Sequence, residues 1–236
     1  MPDNVGSWKP GPRVTELLFV DFDGLTADPD DVISDGLDGG YRERTKALRE
    51  VLRDPGEDPA GRFLACVALT RWGDPVGYET VVQGAGSPES VPWRGAAYDR
   101  LYGHDDTFGV LADAVGDSSD MVEERGTADQ RLEAAASLLN VADRVPFDRH
   151  ISSLLHQDVV AACPDVIKAT VARGVVRLTE ESPRHDLGLQ LALLIEAVGR
   201  VDRSWSEEAA CHLAAAHPGE RALKELSANR DGLPLG

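Results

Sequence analysis

The sequence predicts an all-α protein, a right-handed α-α superhelix built from roughly five stacked helix pairs. Three observations carry that expectation. Residues 62–86 read as helix, two-residue corner, helix; the positions that make this unit recur further along the chain; and alternating, strand-like runs are confined to 17–22 and 175–179, each short enough to be a turn of helix.

The elements follow in chain order. The opening MPDNVGSWKPGPR has no apolar stretch of signal-peptide type and, with its Pro and Gly, reads as a flexible lead-in. Residues 21–38 then hold seven aspartates and no Lys or Arg. Within them Asp28-Pro29-Asp30-Asp31 is a helix start. Asp28 caps, Pro29 takes the first helical position, and the next two acids lie at the positive end of the helix dipole. Residues 1–40 are therefore expected to form an irregular acidic N-terminal segment or cap, 41–228 the helical repeat domain and 229–236 a C-terminal tail.

The run RFLACVALTRWGDPVGYETVVQGAG, residues 62–86, carries the argument. An apolar helical pattern through Phe63, Val67 and Trp72 stops at Gly73-Asp74-Pro75. Glycine suits the left-handed position that ends a helix, Asp caps the next one, and Pro fits its first position. Arg62, Ala65, Leu69 and Asp74 recur 32 residues on as Arg94, Ala97, Leu101 and Asp106, and 37 residues after that as Arg131, Ala134, Leu138 and Asp143. Gly77 returns as Gly109. A looser unit runs through Leu187, Leu191, Leu194, Ile195 and Val198 to the corner Gly199-Arg200-Val201-Asp202, and 151–178 are helical in pattern but match the template poorly. The small Ala positions admit close helix approach, the leucines fill a shared core, and the aspartates cap the following helices. The unit resembles HEAT-like repeats of the short bacterial kind, over about residues 42–226 and best in three units. That resemblance implies a solenoid, and a solenoid alone does not choose a function.

Composition narrows the functional classes. The chain has 236 residues, 42% hydrophobic and 28% charged, with no apolar run of membrane-spanning length. Lys plus Arg is 24 against 41 Asp plus Glu, a net charge of −17. Such a field opposes nucleic acid and anionic membranes and favours a basic partner. The dense cationic run Arg42, Arg44, Lys46, Arg49 and Arg53 is interrupted by Glu43 and Glu50 and reads as a solvated helix face. Cys66, Cys163 and Cys211 are too far apart for metal-ligand spacing and read as buried free thiols of a reducing cytoplasm. Only four lysines in a chain rich in Ala, Arg, Asp and Gly suggest a GC-rich bacterial genome.

One stretch stands outside the repeat. In LLFVDFDGLTADPDD, residues 17–31, apolar residues run into Asp21-Phe22-Asp23-Gly24, which resembles the first motif of haloacid dehalogenase-like phosphatases. The resemblance implies a magnesium-dependent enzyme with Asp21 as nucleophile and Asp23 as acid/base. Val115-Gly-Asp117-Ser-Ser-Asp120-Met121 then stands where that family places its late metal-binding acids, making Asp117 and Asp120 candidates. Against it, no lysine lies between Lys46 and Lys168, Thr70 falls inside the best repeat unit, and Leu25 follows Gly24 where Thr or Val is expected. A calcium loop counted from Asp21 puts Thr26 where Gly is needed and Val32 where Glu is needed.

Trp72, Tyr78, Trp93, Tyr98 and Tyr102 concentrate in the first two units, with His104 at an interhelix corner. Aromatics beside acidic corners are candidates for a binding surface, and packing between helices is the structural alternative. No serine lies in a nucleophile elbow and there is no phosphate-binding loop. The reading is a non-enzymatic protein-binding adaptor or inhibitor without metal or cofactor, its partner an unidentified protein for which the net charge favours a basic one; the alternative is the phosphatase.

Overall fold

The computed structural model describes residues 10–99 and 104–231. The fold is all-α. The α-helices are α1 (Pro12–Leu18), α2 (Pro29–Asp35), α3 (Tyr41–Arg53), α4 (Pro59–Arg71), α5 (Pro75–Gly86), α6 (Thr107–Asp117), α7 (Val122–Arg125), α8 (Ala128–Leu139), α9 (Gln157–Ala162), α10 (Pro164–Glu180), α11 (Leu187–Gly199), α12 (Arg203–Ala215) and α13 (Glu220–Asp231). The two-residue strands β1 (Tyr98–Asp99) and β2 (His104–Asp105) pair antiparallel. A seven-residue 3₁₀ segment, Asp148–Leu154, stands between α8 and α9.

The corner read from the sequence forms as expected. α4 stops at Arg71, Gly73 takes a left-handed φ of 66°, the Asp74 carboxylate accepts from Val76 N, and Pro75 opens α5. Gly77 then brings α5 against α4: a Cβ there would lie 2.5 Å from Thr70 N, so only glycine permits this approach. Asp28 and Asp58 cap α2 and α4 in the same way, and Asp186 and Asp202 cap α11 and α12.

The repeat arginines work at the opposite helix ends. Arg62 on α4 donates to Leu52 O at 3.1 Å, at the end of α3. Buried Arg131 on α8 donates to Val115 O at 3.0 Å and Gly116 O at 3.3 Å, at the end of α6. Arg44 of α3 does the same for α1 and the turn after it, through Leu17 O, Val20 O and Asp21 O. Each guanidinium meets the negative end of a helix dipole and satisfies carbonyls that the helix leaves orphaned, and Arg44 also takes two carbonyls of the turn beyond α1.

Packing proceeds steadily along the chain. α4 touches α3, α5 and α6; α6 packs on the 148–154 segment, and that segment on α11. Alongside this file, α5 packs on α8, α8 on α10 and α10 on α12, while α12 and α13 both cover α11. The aromatic rings of Phe63, Trp93, Phe108 and Phe147 continue one another through the core, with centroids 5.7, 6.1 and 6.3 Å apart. The N-terminal elements join the same body. α1 and α2 pack on α4, and the buried Trp72 indole donates to Ile33 O at 2.8 Å. A Cβ on Gly36 would strike that indole at 2.6 Å, so α2 reaches Trp72 because residue 36 is glycine.

Three expectations need correction. The second repeat unit has no first helix: Pro88, Pro92 and left-handed Gly95 (φ 76°) break it, and the β1–β2 pair follows; Leu101 lies outside the described residues. Asp106 precedes α6 without making a side-chain cap, and Asp143 stands in a turn, where it pairs with Arg173 instead. The two short strand-like runs are not strands: residues 175–179 are helical, within α10, and the 17–22 run is the end of α1 and a turn whose carbonyls accept from Arg44. Of the cysteines, Cys66 is buried, Cys163 half-buried and Cys211 exposed. Burial pushes the Cys66 thiol up to about 12, against a smaller opposing effect of its contact with Thr70, so it is chemically inert at neutral pH.

Candidate functional site

The aromatic candidates separate once their surroundings are known. Trp72, Tyr78 and Trp93 are core residues. The Tyr78 hydroxyl donates to Ser118 Oγ at 2.7 Å, and Ser118 donates onward to Val115 O. Trp93 is wedged between Phe63 and Phe108. Their size and spacing, which suggested a binding face, serve packing between helices. Tyr98 and His104 lie on the β1–β2 pair, one on each strand, and Tyr102 lies outside the described residues.

Two of the four acids of the phosphatase reading, Asp21 and Asp120, are engaged elsewhere, and Asp23 is exposed on the Asp21 loop. Asp21 Oδ1 accepts from Asp23 N at 2.9 Å and Leu25 N at 2.7 Å, an arrangement that shapes its own loop. Asp120 forms a two-bonded pair with Arg71, at 2.8 and 3.0 Å, and Asp117 is exposed at the end of α6. The parallel sheet on which that chemistry is built is absent among the described residues, as is any cluster of three metal-ligating side chains.

What the Asp21 region does form is an ordered acidic loop. Asp21 N donates to Leu25 O, Ala27 N to Phe19 O, and Val20 and Thr26 bridge, closing a hairpin-like turn at Gly24 (φ 85°). Arg44 fastens it from beneath through three carbonyls, and its guanidinium lies 3.9 Å from the centre of the Phe22 ring. The loop presents Leu25, 65% exposed, and Phe22, 36% exposed. Around it Asp23, Asp28, Asp30, Asp31, Asp35 and Asp38 are all exposed. Partial burial, then repulsion from Asp28 and Asp31, holds the Asp30 carboxyl above its usual range.

Few cations remain to neutralise this face. Arg44 is spent on carbonyls, Arg42 pairs with Glu124 on α7, and Arg49 pairs with buried Asp74. The acidic excess thus gathers on an ordered surface that also carries exposed apolar side chains. Sequence reading found the aspartates but missed Leu25 as the exposed apolar residue and Arg44 as the anchor. Both lie in plain view in the sequence, and only the closure of the loop gives them meaning.

Compared with known proteins, the chain matches no protein-family model, no curated protein and no solved structure.

Proposed function

We propose that the chain is a short HEAT-like solenoid acting as a non-enzymatic adaptor or inhibitor, and that it docks a basic protein on the acidic face around the 19–27 loop. The observation that carries the reading is the ordered loop itself. It holds Leu25 and Phe22 out to solvent amid six exposed aspartates, with its nearest arginines engaged inside the fold. Apolar anchors ringed by charge suit a protein interface: the anchors supply affinity and the charge supplies orientation and association rate. The succession of contacts from α5 to α8, α8 to α10 and α10 to α12 supports the solenoid. The caps at its corners and the arginines at its helix ends make a stiff support for such a surface.

Affinity capture from the native host at low salt tests this, comparing the unaltered chain with the double variant Asp23→Lys, Leu25→Ser. The expected result is a basic protein retained by the first, released by moderate salt, and absent from the second. Capture of no protein, or of the same protein by both, would overturn the reading.

A further inference from the structure

A second feature runs against the acidity of the chain. A cleft of about 500 Å³ opens between the 88–94 turn, the start of α6, the 144–146 turn and the end of α10 with the loop after it. Four arginines line it: Arg94, Arg144, Arg177 and Arg184. Two are matched within the fold. Arg94 pairs with Glu89 and, at 3.7 Å, with Asp105, and Arg177 pairs with Glu181 at 2.8 Å. The other two, Arg144 and Arg184, are exposed, and their side chains make no hydrogen bond or ion pair with any described residue. They come from different turns, yet both line the one cavity. Phe108, Val145 and Pro146 give it an apolar wall.

We propose that this cleft binds a small organic carboxylate with an apolar body. The charge count selects the ligand class. Four arginines face the three acids Glu89, Asp105 and Glu181, so the lining carries one uncompensated positive charge apart from His185. A monoanion balances it; a phosphate dianion overcompensates. Guanidinium forks match a carboxylate bidentately, and the wall of Phe108, Val145 and Pro146 takes the remainder of the molecule. The volume lies in the range of small-molecule sites. In a chain of net charge −17, two arginines left without an acid in a concave site are not explained by solubility.

The probe is 3-phenylpropionate, with 3-phenylpropionamide and inorganic phosphate as comparators, followed by amide chemical-shift mapping on the full chain. The expected result is millimolar or tighter binding of the carboxylate, with shifts grouped on 144–146, 177–185 and 105–108. Arg144→Gln with Arg184→Gln is expected to weaken it at least about tenfold, the scale of a lost charge-assisted contact. Arg149→Gln, which removes an exposed arginine outside the cleft, leaves it unchanged. Unaltered melting of the double variant would show that the fold is intact. No binding, equal binding of the amide, equal binding of phosphate, or an equal loss in Arg149→Gln would each overturn the proposal.

Discussion

Asp74 and Arg49 form a two-bonded ion pair on a buried carboxylate: Asp74 has no solvent exposure and accepts from half-buried Arg49 through Nε at 3.0 Å and Nη2 at 2.6 Å. Arg125 adds a third bond at 2.6 Å, and Val76 N a fourth at 3.0 Å. One side chain thereby joins α3, the α4–α5 corner and α7. The pattern recurs down the chain, since Asp143 pairs with Arg173 and Asp202 with Lys168. Asp74 and Asp202 each precede one helix and take their cation from another, and Asp143 ties its turn to α10, so the connections are fixed to neighbouring helices.

Removing the acid at this junction strips two arginines of their partner and opens a helix start. Asp74→Ala is expected to cost about 3–4 kcal/mol, and Asp74→Asn about 1 kcal/mol less because the amide oxygen still caps Val76 N. Urea denaturation of both variants measures it. Losses below about 1 kcal/mol in both would show that the pair does not hold the corner.

Gln190 is the counterpart in the second half. It is fully buried inside the apolar helix α11. Its Oε1 accepts from Phe147 N at 2.5 Å and Asp148 N at 2.9 Å, and its Nε2 donates to Ala142 O at 2.8 Å and Val145 O at 3.2 Å. The amide is saturated, and it supplies partners for a turn that has no regular structure of its own. Gln190→Leu keeps the volume but orphans four backbone groups. The expected loss is about 3 kcal/mol by urea denaturation, together with faster amide exchange at Phe147. A variant as stable as the parent would mean the 141–148 turn holds itself.

These two residues mark how far the sequence is legible. Asp74 announces itself, because Gly-Asp-Pro is local chemistry: a left-handed glycine, a cap and a proline need no knowledge of the rest of the fold. Gln190 does not. In LGLQLALLIEAVG it is one polar residue in a buried helix, and its partners lie more than 40 residues away. The same division explains the second repeat unit. Arg94, Ala97 and Asp106 keep the template's spacing, but Pro92 and Gly95 outweigh it and the helix is lost. The aromatic candidates were ambiguous for a related reason. A tryptophan at helical spacing serves a core or a surface equally well until its neighbour is known, and for Trp72 that neighbour is glycine 36 residues earlier. The acidic loop shows the opposite failure: local letters suggested catalytic chemistry, and a remote arginine, Arg44, turned them into a scaffolded turn.

His150 supplies a test in pH. Its Nδ1 lies 2.6 Å from Asp113 Oδ2 on α6, and its Nε2 lies 3.4 Å from Asp106 Oδ2 at the head of that helix. Ser153 donates to the other Asp113 oxygen at 2.6 Å, so the 148–154 segment is clamped to α6 through one carboxylate. The hydrogen bond with Asp113 raises the imidazole above its usual value of 6.5, against partial burial, with smaller contributions from the charges of Asp113, Asp106 and Asp148. A raised folded-state value means the proton is bound more tightly in the folded chain. The stabilisation is therefore complete below the unfolded value and is lost as pH rises through the folded one. His150→Gln is expected to be less stable than the parent at about pH 5.5, and the difference to shrink steadily towards about pH 9. Urea midpoints across that range give the curve, and an imidazole NMR titration locates its inflection. A difference that stays constant with pH would show that the imidazolium does not form the clamp, leaving only the neutral hydrogen bond to Asp113.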